Sequence, residues 1–189
     1  MLTNYIVNYT KLIPANICKK IISYFDEDLF DSKITGPSFS GEVNKNIRNC
    51  KTSHILQKQD SFGKIICLNY IQAIMMKACL DYRIRHPYAE VKEINQLDLL
   101  KYETNSYKAG YSYHIDYASG VHKPRQLSIS ICLNNEFKGG DFRFSINGDE
   151  AVYPQNEGDC LIFPSNFMFP HQVDKVTQGT RYALIGWAF

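Results

Sequence analysis

Residues 160–189 read CLIFPSNFMFPHQVDKVTQGTRYALIGWAF. Short runs of aliphatic, aromatic and β-branched residues alternate here with turn residues, and this pattern is typical of short strands. We predict strands at 160–163, 171–176 and 181–189, with a turn at Gln178-Gly179. His171 and Arg181 each begin one of these predicted strands.

The same pattern extends upstream to residue 94 and gives eight predicted strands in all. The other five are at 94–102, 111–116, 126–133, 141–146 and 151–153. Gly139-Gly140, Asn147-Gly148 and residues 156–158 supply turns between them. A series of eight short strands behind a helical region indicates a mainly β fold, a double-stranded β-helix of the jelly-roll or cupin-like type.

Two helices are predicted before the strands. Residues 14–25 place Ile17, Ile21 and Phe25 on one face, and residues 61–85 keep helical spacing until Pro87 stops the run. Residues 31–58 are polar and aperiodic, which predicts a long, mobile loop. We expect one domain over 1–189, with a helical support at about 12–87 that braces a jelly-roll core at about 91–189, since 189 residues fit a single core.

The composition excludes several classes of protein. The net charge of +2 gives no reason to expect nucleic acid as a partner, and no apolar run approaches the roughly 18 residues of a membrane span. The N-terminus lacks the pattern of a secretion signal, so we expect a cytoplasmic protein without a membrane partner. Richness in Lys, Asn and Ile suggests a bacterium or a virus-infected host cell. The six cysteines show no metal-ligand spacing and are expected to be reduced. The oligomeric state stays open.

A candidate metal site stands out. His114 and Asp116 lie two apart, so that alternation along a strand would point both to one face. His171 is a third candidate ligand on a distant strand. A lone HxD motif usually lies on the protein surface, and a lone His is usually an ordinary histidine that binds no metal. Two His and one carboxylate together leave coordination positions on a metal ion open, as in non-haem Fe(II) oxygenases.

Arg181 lies in a strand that is otherwise apolar. An arginine that points inward from such a strand needs an anionic partner, because a buried unpaired charge is costly. A dicarboxylate would provide that partner through a bidentate contact.

Several motifs occur in the order found in one known family. They are QLDLLKY (96–102), GYSYHID (110–116), Arg125 followed by Leu133-Asn134, FKGGDFRF (137–144), EGDCLIFP (157–164) and the closing segment from His171 to Trp187. The series resembles the prolyl 4-hydroxylase and lysyl hydroxylase branch of the Fe(II)- and 2-oxoglutarate-dependent dioxygenases. The resemblance implies Fe(II), 2-oxoglutarate and O2, with ascorbate as a candidate reductant, and a hydroxylation that yields succinate and CO2.

The resemblance also implies roles for single residues. It makes His114, Asp116 and His171 the iron ligands and Arg181 the partner of the distal carboxylate of 2-oxoglutarate. Tyr102 would assist that carboxylate or simply be a buried core residue. The candidates for substrate contact are Arg125, Tyr111 and Tyr113.

The expected substrate is a prolyl residue in a peptide or protein, with residues 31–58 closing over it. A lysyl side chain and a free amino acid are alternatives, and a non-catalytic jelly-roll binding module is an alternative of another class. A nucleic-acid demethylase is disfavoured, because Trp187 stands where such enzymes usually carry a second Arg. The chain departs from the family at Cys132, where relatives often have an aromatic residue.

Overall fold

The computed structural model of this chain contains two large antiparallel β-sheets, a separate two-stranded sheet formed by Thr35–Gly36 and Phe39–Ser40, and two α-helices. The structure describes residues 1–32, 43–104, 109–117 and 124–189, together with the backbone of 35–36 and 39–40. The helices are α1 (Ala15–Phe25) and α2 (Phe62–Arg85). The strands are β1 (Val7–Tyr9), β2 (Phe30–Asp31), β3 (Thr35–Gly36), β4 (Phe39–Ser40), β5 (Arg48–Asn49), β6 (Lys51–His54), β7 (Ile94–Glu103), β8 (Gly110–His114), β9 (Leu127–Cys132), β10 (Phe137–Gly139), β11 (Phe142–Ile146), β12 (Asp149–Tyr153), β13 (Cys160–Pro164), β14 (His171–Val173) and β15 (Val176–Ala188).

Both predicted helices are present, and local chemistry explains their bounds. Helix α1 follows Pro14, whose fixed φ suits the start of a helix. The Ser61 hydroxyl accepts a hydrogen bond from the backbone N–H of Lys64 and so caps the start of α2. Helix α2 ends before Pro87, which cannot continue it. Among the described residues, no helix has the length and apolar character that a membrane span requires.

The larger sheet has the order β1-β13-β9-β15-β7-β6-β2, with β10 paired to β15. Successive side chains along its strands point to opposite faces of the sheet, and each face packs into a separate hydrophobic core. One face, with Leu97 and Leu99, packs against α1 and α2. The other face, with Leu100 and Tyr102, packs against the smaller sheet, whose order is β12-β11-β14-β8-β5. The helices therefore brace the larger sheet from outside, and the space between the sheets is left for a site.

Several predicted boundaries are wrong. Strand β15 begins at Val176, so Arg181 lies within it and does not begin it, and β8 ends at His114. The loop predicted over 31–58 contains β5 and β6, and β6 pairs with β7 in the larger sheet. Strands of two to four residues carry no period that a sequence pattern can reveal. Residues 33–34, 37–38 and 41–42 of this loop lie outside the described residues.

Candidate metal centre

His114, Asp116 and His171 come together at one end of the smaller sheet. One ligand atom from each lies within 4.8 Å of the others. Strands β8 and β14 are antiparallel neighbours that place His114 opposite His171, with ring centroids 4.3 Å apart. Asp116 lies just beyond the end of β8, with Oδ1 3.6 Å from Nε2 of His114 and Oδ2 3.8 Å from Nε2 of His171. The three predicted ligands therefore converge, although Asp116 does not lie on the strand.

A β-bulge sets the direction of the side chains on β8. Val173 pairs with Tyr111 and His171 with His114, so two residues of β8 stand opposite one residue of β14. The extra residue brings Tyr111 and His114 to the same face, where their rings stack at 3.6 Å. Tyr113 lies apart from the cluster, 41% exposed, and its hydroxyl donates to Glu150.

The backbone orients both imidazoles. Nδ1 of His114 is 2.8 Å from the carbonyl oxygen of Ser112, and Nδ1 of His171 is 3.1 Å from that of Phe169. A carbonyl oxygen can only accept, so each Nδ1 carries the proton and each Nε2 offers a lone pair. The two free lone pairs lie on the side of Asp116, which is the arrangement that a shared cation requires.

Burial sets the charge of the cluster. Burial and the neighbouring His171 lower the pKa of His114, so the ring is neutral at pH 7, the form that binds metal. Burial raises the pKa of Asp116, but the attraction of His171 and His114 and a hydrogen bond from Ser128 outweigh it and hold that pKa below its usual range. The donor set is therefore two imidazoles and one carboxylate, which fits Fe(II).

Ser128 on β9 is a site residue that the sequence analysis missed. Its hydroxyl donates to Oδ2 of Asp116 at 2.6 Å and is itself 2.8 Å from the hydroxyl of Ser165. Ser128 is almost fully buried in β9, which contains one other polar residue, Ser130. The signal that could have found it is the alternation LSISIC, in which both serines share the face that is turned to the site.

Arg181 is fully buried in the middle of β15, opposite Tyr102 on β7. Its Nη2 donates to Oε1 of Gln155 at 3.1 Å, and its Nε and Nη1 have no hydrogen-bond partner among the described residues. Gly140 makes room for it, because a Cβ there would lie 2.7 Å from Cδ of Arg181. A buried guanidinium with one neutral partner is costly, and a carboxylate would satisfy it. The residues present therefore fit a dicarboxylate.

A cavity of about 480 Å³ lies between the sheets, a volume typical of small-molecule sites. The predicted site residues that line it are His114, Asp116, His171, Tyr102, Tyr111 and Arg125. The guanidinium of Arg125 stacks on Trp187 at 3.8 Å and donates to the backbone oxygen of Asp116 at 3.0 Å.

Arg48, His54 and Asp98 are among the lining residues that the sequence analysis did not predict. The guanidinium of Arg48 lies 4.9 Å from the centre of the Tyr111 ring, and Nδ1 of His54 is 2.7 Å from Oδ1 of Asp98. Arg48 and His54 lie on β5 and β6, the two short strands inside the predicted loop. Because the sequence did not predict these two strands, it could not predict that Arg48 and His54 reach the cavity.

Comparison with protein families identifies the second half of the chain. Residues 99–189 match the model of the 2OG-Fe(II) oxygenase superfamily. This chain carries a 2OG-Fe(II) oxygenase domain. The matched segment contains the His–Asp–His cluster and Arg181, and enzymes of this family use Fe(II), 2-oxoglutarate and O2. The predicted oxygenase family is therefore confirmed.

Curated relatives of the oxygenase are PKHD-type hydroxylases of bacteria. One from Idiomarina loihiensis is 22% identical over 184 residues, which cover 96% of this chain and 76% of the relative. Another from Rippkaea orientalis is 30% identical over 101 residues, which cover 51% of this chain and 43% of the relative.

Solved structures confirm the predicted double-stranded β-helix. One is a prolyl hydroxylase from Trichoplax adhaerens in complex with a hypoxia-inducible-factor peptide, with a TM-score of 0.79 at 16% sequence identity. The match covers 99% of this chain and 84% of the Trichoplax chain. A prolyl-4-hydroxylase from Pseudomonas putida has a TM-score of 0.72 at 19% identity, with coverages of 97% and 92%. At these identities the likeness shows the fold.

Proposed function

We propose that this oxygenase hydroxylates a prolyl side chain in a peptide or protein, using Fe(II), 2-oxoglutarate and O2 and releasing succinate and CO2. One observation carries the proposal. A two-His, one-carboxylate cluster lies in the cavity between the sheets, and the guanidinium of the fully buried Arg181 lies 5.5 and 6.0 Å from the rings of Tyr102 and Phe142, which line that cavity. Two nitrogens of this guanidinium have no hydrogen-bond partner among the described residues.

Each residue of the site has a role in this proposal. His114, Asp116 and His171 would hold the iron, and Arg181 with Tyr102 would hold the distal carboxylate of 2-oxoglutarate. Burial raises the pKa of Tyr102, so its hydroxyl stays protonated and can donate. Iron and 2-oxoglutarate, when bound, would activate O2, the oxidant, for attack on an unactivated carbon. The chain itself binds, orients and shields the reactants.

The cavity wall supports a prolyl substrate. The aromatic rings of Tyr111 and Trp187 form part of the cavity wall beside the cluster. A proline ring packs well on such faces while its peptide backbone stays extended. The Trichoplax and Pseudomonas structures are those of prolyl hydroxylases, which favours the same substrate class here.

One observation favours a lysyl side chain or a free amino acid as the second candidate. Asp98 lines the same cavity, and its carboxylate is hydrogen-bonded to the ring of His54. The ammonium group of a lysyl side chain or of a free amino acid could bind to this carboxylate.

The proposal extends to the setting of the reaction. We propose ascorbate as the reductant, the cytoplasm as the compartment and residues 1–189 as one catalytic unit. The curated relatives are bacterial hydroxylases, which agrees with this setting.

Peptide turnover tests the substrate. The purified protein is incubated with Fe(II), 2-oxoglutarate and matched peptides that differ only in carrying Pro, Lys or Asn, and the same panel is repeated with free amino acids. Succinate is measured, and mass spectrometry locates the added oxygen atom. Oxygen on Pro supports the proposal, whereas oxygen found only on Lys, Asn or a free amino acid rejects the prolyl substrate and keeps the oxygenase.

Metal binding is tested separately. The anaerobic protein with Fe(II) and 2-oxoglutarate should show a weak visible charge-transfer band, and Asp116→Ala should lose it. A parent protein that binds neither Fe(II) nor Mn(II) and forms no succinate would favour the non-catalytic binding module.

A further inference from the structure

The outer face of α2 carries an apolar stripe. The face toward the core contains Ile71, Met75 and Tyr82, all buried. The opposite face is exposed to solvent and carries residues that recur every four and then every three positions: Ile66, Tyr70, Ala73, Lys77, Leu80 and Ile84. A 3.5-residue period of this kind is the seam of a helix pair.

The stripe is large for a surface that stays in water. Phe62 extends it at its N-terminal end, and its five large apolar residues are between 38% and 81% exposed. At roughly 200 Å² for a fully exposed side chain of this size, these fractions amount to about 600 Å², most of the roughly 800 Å² that a standard interface buries on each partner. Monomers rarely expose an apolar patch of that size.

We propose that α2 pairs with α2 of a second copy of this chain, antiparallel, about a two-fold axis beside residue 75. The stripe is symmetric about that residue. In this register Ile66 of one chain faces Ile84 of the other, and Tyr70 faces Leu80. A two-fold axis repeats each contact, so one stripe completes itself against its own copy.

Lys77 selects the antiparallel orientation. It is the one charged residue among the six seam positions from Ile66 to Ile84. In a parallel pair it would face Lys77 of the other chain across the seam, and like charges there repel each other. In the antiparallel pair it faces Ala73, whose small side chain leaves room for the lysine stem while the ammonium group reaches water.

The helix pair leaves the oxygenase site accessible. Helix α2 packs on the face of the larger sheet that is turned away from the smaller one, whereas the cavity lies between the sheets. The inference therefore stands independently of the proposed substrate.

Molar mass in solution tests the pair. Light scattering over a dilution series should give twice the 21.8 kDa of one chain for the parent protein. Ile84→Glu, a change at an 81% exposed position, should give half the parent mass with an unchanged circular dichroism spectrum. Val152→Glu on β12 is the matched control, since it is an exposed aliphatic residue on the other sheet, and it should stay dimeric. A monomeric parent, or an Ile84→Glu variant that stays dimeric, overturns the proposal.

Cysteine pairing tests the orientation. Ile66→Cys and Ile84→Cys chains, mixed and oxidised, should form a disulfide-linked dimer, whereas neither chain alone should. In the antiparallel pair two copies of residue 66 would lie about 27 Å apart, far beyond the reach of a disulfide. All six native cysteines are buried and should not compete. Linkage in the single variants alone would show a parallel pair and overturn the proposed register.

Discussion

At the scale of single residues, the site depends on hydrogen bonds that hold its donors in place. Carbonyl oxygens fix both imidazoles, and Ser128 fixes the carboxylate of Asp116. Arg181 differs from these, because its fixed neighbours leave most of its hydrogen-bonding capacity unused among the described residues. The metal donors are thus held by the protein, whereas the arginine depends on a ligand.

Arg181→Ala should raise the 2-oxoglutarate KM by at least about a hundredfold, since removing one partner of a buried charge pair costs about 3–5 kcal/mol. Arg181→Lys should be milder because it keeps the charge. Steady-state succinate formation against 2-oxoglutarate concentration measures the effect. Arg83→Ala, an exposed arginine on α2, is the control. A KM that is unchanged in Arg181→Ala would mean that another residue holds the co-substrate.

Ser128→Ala should weaken Fe(II) binding by about 10- to 100-fold, because groups that orient metal ligands contribute that much. Ser165→Ala removes a neighbouring buried hydroxyl but leaves the bond from Ser128 to Asp116, so its effect should be smaller. Anaerobic Fe(II) titration of the charge-transfer band gives both affinities. Equal losses in the two variants would argue against a specific role for Ser128.

At the scale of elements, Arg143 on β11 links β12 to the residue that follows β14. From β11 it donates to both carboxylate oxygens of Asp174, at 3.1 and 2.8 Å, and to Glu150 on β12 at 2.9 Å. Asp174 directly follows β14, the strand that begins with His171. These ion pairs of Arg143 therefore support the position of His171, one of the predicted iron ligands.

The ion pair between Arg143 and Asp174 predicts that the stability of the fold depends on pH. The hydrogen bond from Arg143 holds the pKa of Asp174 below its usual 3.8, so the pair stabilises the fold above that value and loses its effect as the pH falls through the depressed pKa. Arg143→Gln should therefore lower the melting temperature at pH 7, and the difference from the parent should narrow in acid. Thermal melts across pH test this, with Arg83→Gln as the control. A difference that grows in acid would contradict the prediction.

At the scale of the whole molecule, the two hydrophobic cores have different roles. The core between the helices and the larger sheet contains Met75, which is fully buried. The core between the sheets contains Phe144, whose ring lies 5.6 Å from that of His171 and 4.9 Å from that of Phe163. The first core stabilises the scaffold, and the second also packs the site.

Met75→Ala and Phe144→Ala should separate these functions. Each should cost about 2–5 kcal/mol of unfolding free energy, because each leaves a cavity in a packed core. Only Phe144→Ala should also weaken Fe(II) binding, since it frees the ring of His171. Urea unfolding and anaerobic Fe(II) titration of both variants provide the comparison. Equal loss of Fe(II) affinity in the two would show that the cores are not separable.

The sequence by itself determined the class of fold, both helices and the chemistry of the candidate site. Apolar periodicity is a local property, so the helices and the longer strands could be predicted from it. Residue types and their order were sufficient to single out His114, Asp116, His171 and Arg181. The reason is chemical, since few side chains can bind a metal or need a buried anion.

Only the tertiary structure decided which side chains share the cavity. The bulge in β8 turns Tyr111 toward His114 and leaves Tyr113 outside, against simple alternation. Arg48 and His54 reach the cavity on strands too short to show a period, and they are held there by pairing with β8 and β7. Ser128 became a site residue only because β9 passes Asp116. Register and bulges arise from contacts between segments far apart in the chain, and no local pattern contains them.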